Sequence, residues 1–143
     1  MKVMLDPGAF LPTKAHETDA GYDLYAKECF CVTTKDDIVD NCGYAIHDTG
    51  VHIEIPKGYV GFLKSKSGLN VRCNITGEGV IDSGYTGSIV VKLYNHGSTT
   101  HWFERGDKII QLVILPIFSE ELEVVDCLDE TDRGDNGFGS SGK

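Results

Sequence analysis

The sequence predicts an all-β protein of the jelly-roll or distorted β-barrel type. Short runs of apolar and β-branched residues recur along the chain and are separated by Gly, Pro, Asp or Asn, which is typical of strands joined by tight turns. The 143 residues include 17 glycines, a content that favours many turns over long helices. No stretch has a convincing helical period, so we expect little helix.

Nine runs are predicted as strands. In chain order they are KVML, YDLYA, CFCVTT, YAIHDTGVHIEI, YVGFLK, SIVVKLYN, HWFER, KIIQLVILPIF and LEVVDCL. In the sixth run Ile89, Val91 and Leu93 alternate with more polar residues, so one face should be buried. The eighth run is apolar except for Gln111, so that strand should be buried on both faces and its lone amide needs partners. Residues 65–72 are predicted to form at most a short helix or turn.

The length fits one domain, and no repeat or proline-rich linker divides the chain. We predict a β domain over residues 1–125. Residues 126–143, which we call the C-terminal arm, are polar and carry no apolar stripe, so they should be flexible without a ligand.

The charge balance limits the possible partners. The formal net charge is -9, with 22 acidic and 13 basic side chains, so the protein should repel nucleic acid. A small phosphorylated ligand is compatible with this charge if cations or a metal ion neutralise it locally. No apolar run reaches the length of a membrane span and no signal region begins the chain, so we expect no membrane partner. The odd number of cysteines, five, without a CxxC pair, indicates reduced thiols and a cytoplasmic protein, or a nuclear one in a eukaryote.

Five motifs follow one another along the chain: AGYDL, SKSGL, GVIDSGYTG, GDKIIQL and RGDNGFGSSG. In the third, Asp82 follows Val80 and Ile81, and a carboxylate beside apolar residues can gain a proton affinity suited to activating water. Taken alone, an aspartate among glycines is more often a turn residue. In the second, Lys66, Ser67 and Gly68 offer the donors that a phosphate chain needs, although a solvated turn has the same composition.

The glycine-rich C-terminal arm has two interpretations. A Gly/Ser tail at a chain end is typical of a flexible linker or an expression remnant. Alternatively the arm closes over a ligand, with Arg133 meeting an anion and Phe138 covering a flat ring.

Together the five motifs, from Ala20 to Gly142, resemble those of the trimeric dUTP pyrophosphatases. The resemblance implies a jelly-roll homotrimer whose sites are shared between chains. It also implies hydrolysis of dUTP to dUMP and pyrophosphate, which limits dUTP and supplies dUMP for dTTP synthesis. The implied cofactor is Mg²⁺, held by the substrate phosphates without a direct protein ligand, with Asp23 contacting it through water.

The resemblance also implies roles for the residues around the reacting phosphate. Asp82 deprotonates the water that attacks the α-phosphorus, and Tyr85 lies beneath the deoxyribose, where it excludes a ribose; an ordinary sheet aromatic is the alternative for Tyr85. We interpret NITGEG as a hairpin whose main chain at Gly77 and Gly79 binds uracil.

The remaining candidate residues are implied to contact the phosphates or cover the base. Those at the phosphates are Lys66, Ser67, Gly68, Gln111, Arg133, Gly139, Ser140 and Ser141, and Phe138 stacks on the uracil. Arg133 is assigned to the γ-phosphate. Lys66 departs from the family, which usually has arginine there, and lysine lacks the planar fork of donors.

Two competing functions share the predicted scaffold. A dCTP deaminase needs a carboxylate at the base, and Glu78 is the nearby candidate, although the complete GFGSSG tail argues against this function. A catalytically idle nucleotide sensor is the other, and the presence of Asp82 argues against it. Products formed from dUTP and dCTP distinguish all three.

Overall fold

The computed structural model describes residues 1–37 and 42–135. Over these residues the chain forms ten strands and one short helix. The strands are β1 (Val3–Leu5), β2 (Gly21–Tyr25), β3 (Phe30–Val32), β4 (Tyr44–Asp48), β5 (Val51–Ile53), β6 (Tyr59–Lys64), β7 (Ile75–Ile81), β8 (Val90–Asn95), β9 (His101–Phe103) and β10 (Lys108–Pro116), and the helix is α1 (Ser67–Cys73). The prediction of an all-β chain with little helix is confirmed.

The strands form one large sheet and two small ones. The main sheet has the order β2-β10-β6-β7-β8-β4, and the small sheets pair β1 with β5 and β3 with β9. All of these pairings are antiparallel. Because neighbours such as β2 and β10 are far apart in sequence, the connections cross between sheets, as they do in a jelly roll.

The apolar core is shared by the main sheet and the small sheets. Val91 and Leu93 of β8 are at most 1% exposed, which confirms the alternation predicted for that strand. They belong to one buried cluster with Leu112 of β10, Val51 of β5 and Phe103 of β9. Burial of this common cluster joins the three sheets into one unit.

The interpretation of NITGEG as a hairpin is wrong. Asn74 is the C-cap of α1, and the other five residues belong to β7. This continuous strand pairs through its first residues with β8 and through its last residues with β6. Glycines led to the turn interpretation, but here they relieve crowding within a strand. A Cβ at Gly77 would lie 2.8 Å from Leu93 Cδ2, and one at Gly79 would lie 3.0 Å from Leu63 Cδ1.

The strand predicted for LEVVDCL is also absent. Residues 117–135 form no helix or strand, and Leu122 and Val124 are each 98% exposed. Apolar residues are present, but none of the strands in the described part of the chain pairs with this segment. Its apolar side chains therefore face solvent in the protomer.

The prediction that β10 is buried on both faces is correct only for the first half of the strand. Ile109, Ile110 and Leu112 are at most 1% exposed, whereas Leu115 is 45% exposed. The reason is that pairing with β2 ends at Val113, so the last residues of β10 have a neighbour only in β6. Among the described residues, none of the helices is long and apolar enough to cross a membrane.

Candidate active site

Three of the predicted site residues converge in one cavity at the end of the main sheet. The cavity has a volume of about 270 Å³, and we call it the Lys66 pocket; its lining residues are Ala15, Asp19, Ala20, Gly21, Asp23, Lys66, Lys108 and Gln111. The predicted residues are Asp23, Lys66 and Gln111. Lys108 was missed, although its place in the GDKIIQL motif was a usable signal.

Asp23 is held between two lysines. Lys66 Nζ donates to Asp23 Oδ1 at 2.5 Å, and Lys108 Nζ donates to Asp23 Oδ2 at 2.8 Å. Asp23 is only 6% exposed. Burial alone would raise the pKa of its carboxyl, but the hydrogen bonds from Lys108 and Lys66 outweigh burial and lower that pKa. The same contact with Asp23 raises the pKa of Lys108, so this pair of groups stays charged near neutrality.

Gln111 lies beside Asp23 because the register of the sheet places it there. It is the partner of Asp23 in β2 on one side and of Lys64 in β6 on the other. Gly21 leaves room for it, since a Cβ at Gly21 would lie 3.2 Å from Gln111 Oε1. The glycine of AGYDL therefore leaves the space that the glutamine of GDKIIQL occupies.

Ser67 and Gly68 lie in the first turn of α1, directly after Lys66. Both are exposed. The first N–H groups of a helix have no partner within it, so these amides are open to an oxygen ligand. A Cβ at Gly68 would meet no heavy atom within 4 Å, so packing in the protomer does not explain this glycine.

Asp82 is the first residue and Tyr85 the last residue of a turn that follows β7. Within this turn the Tyr85 N–H donates to the Asp82 carbonyl at 3.0 Å. Asp82 is exposed, and the apolar surroundings expected from its neighbours are not formed, because Val80 is 60% exposed while Ile81 packs in the core. The Tyr85 hydroxyl donates to the Ser88 carbonyl at 2.8 Å. The ring covers Gly87, where a Cβ would clash with the Tyr85 hydroxyl.

Gly77 is engaged within the protomer. Its N–H donates to Ser65 Oγ at 2.9 Å, and its carbonyl accepts from the Ser65 hydroxyl at 3.1 Å. Both Gly77 and Gly79 have a packing reason to be glycine. Their role in binding a base stays a prediction.

Glu78, the candidate of the deaminase hypothesis, faces outward from β7. Its carboxylate accepts a hydrogen bond from Lys64 Nζ at 2.8 Å, and this contact lowers the pKa of Glu78. An exposed, ionised carboxylate paired with lysine is a poor proton shuttle for a buried base. The geometry therefore does not favour the deaminase hypothesis.

Arg133 lies on the exposed end of the described chain, next to a turn in which the Gly134 N–H donates to the Thr131 carbonyl at 3.1 Å. The predicted contacts of Phe138, Gly139, Ser140 and Ser141 lie outside the described residues.

Asp82 and Lys66 lie at opposite ends of β6. In the β6–β7 register Gly61 pairs with Ile81 and Lys64 with Glu78, so Asp82 lies beside Val60 while Lys66 follows the other end of the strand. Six residues of extended chain span about 20 Å. The protomer thus carries its two groups of site residues on separate regions of its surface.

The described residues do not form a protein cage for a metal ion. Over residues 1–37 and 42–135, no three His, Cys, Asp or Glu side chains converge. Both oxygens of Asp23 are paired with lysines, so two cations already neutralise its carboxylate. Its contact with a magnesium-bound water stays a prediction.

Comparison with known proteins gives one family. A family model described as dUTPase matches residues 8–142. The deoxyuridine 5'-triphosphate nucleotidohydrolase of Clostridium tetani is 39% identical over 143 residues, which cover 98% of this chain and 94% of that protein. The enzyme of the same name from Saccharomyces cerevisiae is 37% identical, over 99% of this chain and 94% of that protein.

Solved structures with a similar fold come from staphylococcal phages. A mutant dUTPase of Staphylococcus bacteriophage 80alpha with dUpNHpp has a TM-score of 0.85 and 30% identity, and the alignment covers 99% of this chain and 98% of that one. A mutant dUTPase from phage phi11 of S. aureus, described with a structural Mg(II) ion, has a TM-score of 0.79 and 29% identity, over 90% of this chain and 98% of that one.

Proposed function

The chain belongs to the dUTPase family and hydrolyses dUTP to dUMP and pyrophosphate, and from that premise we propose that its active site forms between the chains of a homotrimer. Asp82 of one chain faces the Lys66 pocket of another, and the C-terminal arm of a chain closes the site. Cyclic homotrimers are one of the common closed symmetries of soluble proteins.

The separation of Asp82 from Lys66 is the observation that carries this proposal. About 20 Å of extended chain, from Val60 to Lys66, separates them. This is several times the distance from the α-phosphorus to the outer phosphate oxygens, which are only a few covalent bonds away. One substrate cannot contact both groups on one chain. A second chain brings them together, and it also covers the apolar side chains that residues 117–128 expose.

In this site Asp82 acts as the general base. Its carboxylate takes a proton from the water that attacks the α-phosphorus, and pyrophosphate leaves on the opposite side. An adjoining chain removes solvent from the exposed carboxylate, and the apolar side chain of Val80 becomes part of its surroundings. Loss of solvent raises the proton affinity of a carboxylate.

Tyr85 and β7 select the nucleotide. The Tyr85 ring is fixed by its hydrogen bond to Ser88 and its contact with Gly87, so a packed ring under the sugar leaves no room for a ribose 2'-hydroxyl. The main chain near Gly77 and Gly79 binds the uracil edge. Only those main-chain groups that the β6 and β8 ladders leave unpaired can do so.

The Lys66 pocket binds the phosphates. Lys66 supplies an ammonium, Ser67 and Gly68 supply a hydroxyl and amides, and Gln111 supplies a carboxamide. Mg²⁺ held by the substrate phosphates would neutralise part of their charge, and Asp23 would contact it only through water.

The C-terminal arm completes the site. Arg133 binds the γ-phosphate, Phe138 stacks on the uracil, and Gly139, Ser140 and Ser141 surround the phosphates. Stacking of a base on an aromatic ring contributes about 1–3 kcal/mol. Glycines let the arm's N–H groups approach phosphate oxygens closely.

Replacing the base tests the mechanism. We expect Asp82→Asn to lower turnover of dUTP by about 10²–10⁴-fold, with affinity for dUpNHpp changed only a few-fold, because the amide has the shape of the carboxylate but cannot take the proton. Asp36→Asn, at an exposed position between β3 and β4, is the matched control. Equal turnover by wild type and Asp82→Asn removes Asp82 from the mechanism.

Product analysis separates the alternatives. Pyrophosphate release is measured for dUTP, dCTP, dTTP and UTP with and without Mg²⁺. We expect release from dUTP with Mg²⁺. Ammonia from dCTP without pyrophosphate from dUTP would establish a deaminase, and binding of dUpNHpp without any turnover would establish a sensor.

A further inference from the structure

Lys108 reaches the Lys66 pocket through an irregularity in β10. Residues three apart on a regular strand point to opposite faces, yet Lys108 and Gln111 both line the pocket. The register explains this: Lys108 pairs with Tyr25 and Gln111 with Asp23, so three steps on β10 correspond to two on β2, with the shift between Lys108 and Ile110. A β-bulge of this kind re-aims a side chain, and here it directs Lys108 to Asp23.

The charges in the pocket balance only when Lys108 is counted. Two carboxylates, Asp19 and Asp23, and two ammonium groups, Lys66 and Lys108, line it. Asp19 Oδ2 accepts the His16 N–H within its own turn, and both lysines form their ion pairs with Asp23. Without Lys108 the lining would be net negative, which would oppose binding of a triphosphate.

We propose that Lys108 is a positioning residue for the triphosphate, which keeps Asp23 paired while Lys66 turns its ammonium group to a phosphate. This inference rests on the proposed phosphate-binding role of Lys66. Lys66 and Lys108 hold different oxygens of the carboxylate, so one ion pair can open while the other stays closed.

The burial of Asp23 explains why a second lysine is needed. A buried carboxylate left without a partner is strongly unfavourable. The Asp23 side chain is 9% exposed, that of Lys66 is 21% exposed and that of Lys108 is 40% exposed. If Lys66 alone neutralised Asp23, movement of the Lys66 ammonium to a phosphate would leave the buried carboxylate unpaired. The unfavourable free energy of that unpaired charge would weaken substrate binding.

The experiment compares two ligands on variants of the full-length chain. Affinities for dUpNHpp and for dUMP are measured on wild type, Lys108→Met and Lys108→Arg. We expect Lys108→Met to lose at least about tenfold in affinity for dUpNHpp, with a much smaller loss for dUMP because dUMP carries less charge. KM for dUTP should rise more than kcat falls, and Lys108→Arg should restore affinity to within a few-fold of wild type.

Lys64→Met is the matched control, because Lys64 is on the neighbouring strand and pairs with the exposed Glu78. It should leave both affinities unchanged. Thermal unfolding of each variant checks the fold, and Lys108→Gln replaces Lys108→Met if the latter does not fold. Equal losses for dUpNHpp and dUMP, or no loss in a folded variant, overturn the inference. Wild-type turnover of dUTP is measured separately, so that failure of this inference is distinguished from failure of the proposed site.

Discussion

Burial and partners give three aspartates of this chain different properties. Asp23 is buried between two lysines and stays ionised. Asp48 accepts hydrogen bonds from the Ser88 hydroxyl and the Gly50 N–H, and the Ser88 contact is the main cause of its lowered pKa. Asp82 is exposed at the end of a strand, so its environment is set by what covers it. Of the three, Asp82 is therefore the one whose surroundings a bound ligand or a second chain can change.

His47 is a buried titratable group outside the proposed site. It is 4% exposed, its Nε2 accepts the Lys27 N–H at 2.9 Å, and its ring stacks on Phe30 with centroids 4.3 Å apart. Burial lowers the pKa of His47, and this outweighs the nearby carboxylates of Glu28 and Asp48, which act in the opposite direction. The folded state therefore holds a neutral imidazole.

This histidine should make stability depend on pH. The pKa of His47 is lower in the folded state than its ordinary value of 6.5. The stability that the neutral imidazole gives the folded state is therefore complete above pH 6.5 and is lost as pH falls through the folded pKa. We expect His47→Gln to show a smaller loss of unfolding free energy than wild type between pH 7.5 and pH 5. Denaturant unfolding at fixed protein concentration measures this. His16→Gln, which removes an exposed imidazole, is the control; identical pH slopes for wild type and His47→Gln would contradict the prediction.

At the scale of elements, β7 shows how glycine can belong to a strand. It joins the β6 half of the sheet to the β8 half, and Gly77 lies where its two pairings meet. A side chain there would meet Leu93 Cδ2 at 2.8 Å and the Lys92 carbonyl oxygen at 2.9 Å. The close approach of β8 therefore requires glycine for packing, in addition to any contact with the base.

Because β8 lies so close to Gly77, the substitution Gly77→Ala should destabilise the fold. We expect the unfolding free energy to fall by about 1–3 kcal/mol, because the added methyl group forces backbone or side chains to shift. Gly68→Ala is the matched control: its Cβ meets nothing within 4 Å, and alanine in a helix is favoured over glycine by about 0.5–1 kcal/mol. Denaturant unfolding of both variants gives the comparison. A stable Gly77→Ala would show that β8 moves aside at little cost.

At the scale of the whole molecule, the protomer exposes apolar surface in its last described segment. Phe118 is 84% exposed, Leu122 98% and Leu128 86%. Single exposed apolar residues are ordinary, but a segment of them is a surface that another chain could cover in the proposed trimer. The separation of Asp82 from Lys66 is the other observation that supports the proposed trimer.

Mixed trimers test the shared site directly. Asp82→Asn and Lys66→Met chains, each weakly active alone, are co-expressed in equal amounts. Suppose that Asp82 and Lys66 of one site come from different chains. Half of the sites then have an intact Asp82, and half of those sites also have an intact Lys66. About a quarter of wild-type activity should therefore return.

The control is a mixture of the two variant proteins purified separately and combined without unfolding, which should show only the sum of their own activities. Sedimentation should give a trimer for all preparations. No activity above that sum in the co-expressed protein would place both residues in a site within one chain.

The sequence by itself determined the fold class and the family, and it named the candidate site residues, because these depend on local patterns. Alternation in SIVVKLYN predicts a half-buried strand, and motifs such as SKSGL carry their donors within a few residues. Only the tertiary structure decided that the glycines of NITGEG lie inside a strand, that Lys108 joins Asp23 through a bulge, and that Asp82 lies far from Lys66 on one chain. Each of these depends on which strands are neighbours and in what register, and register is set by long-range packing of the core.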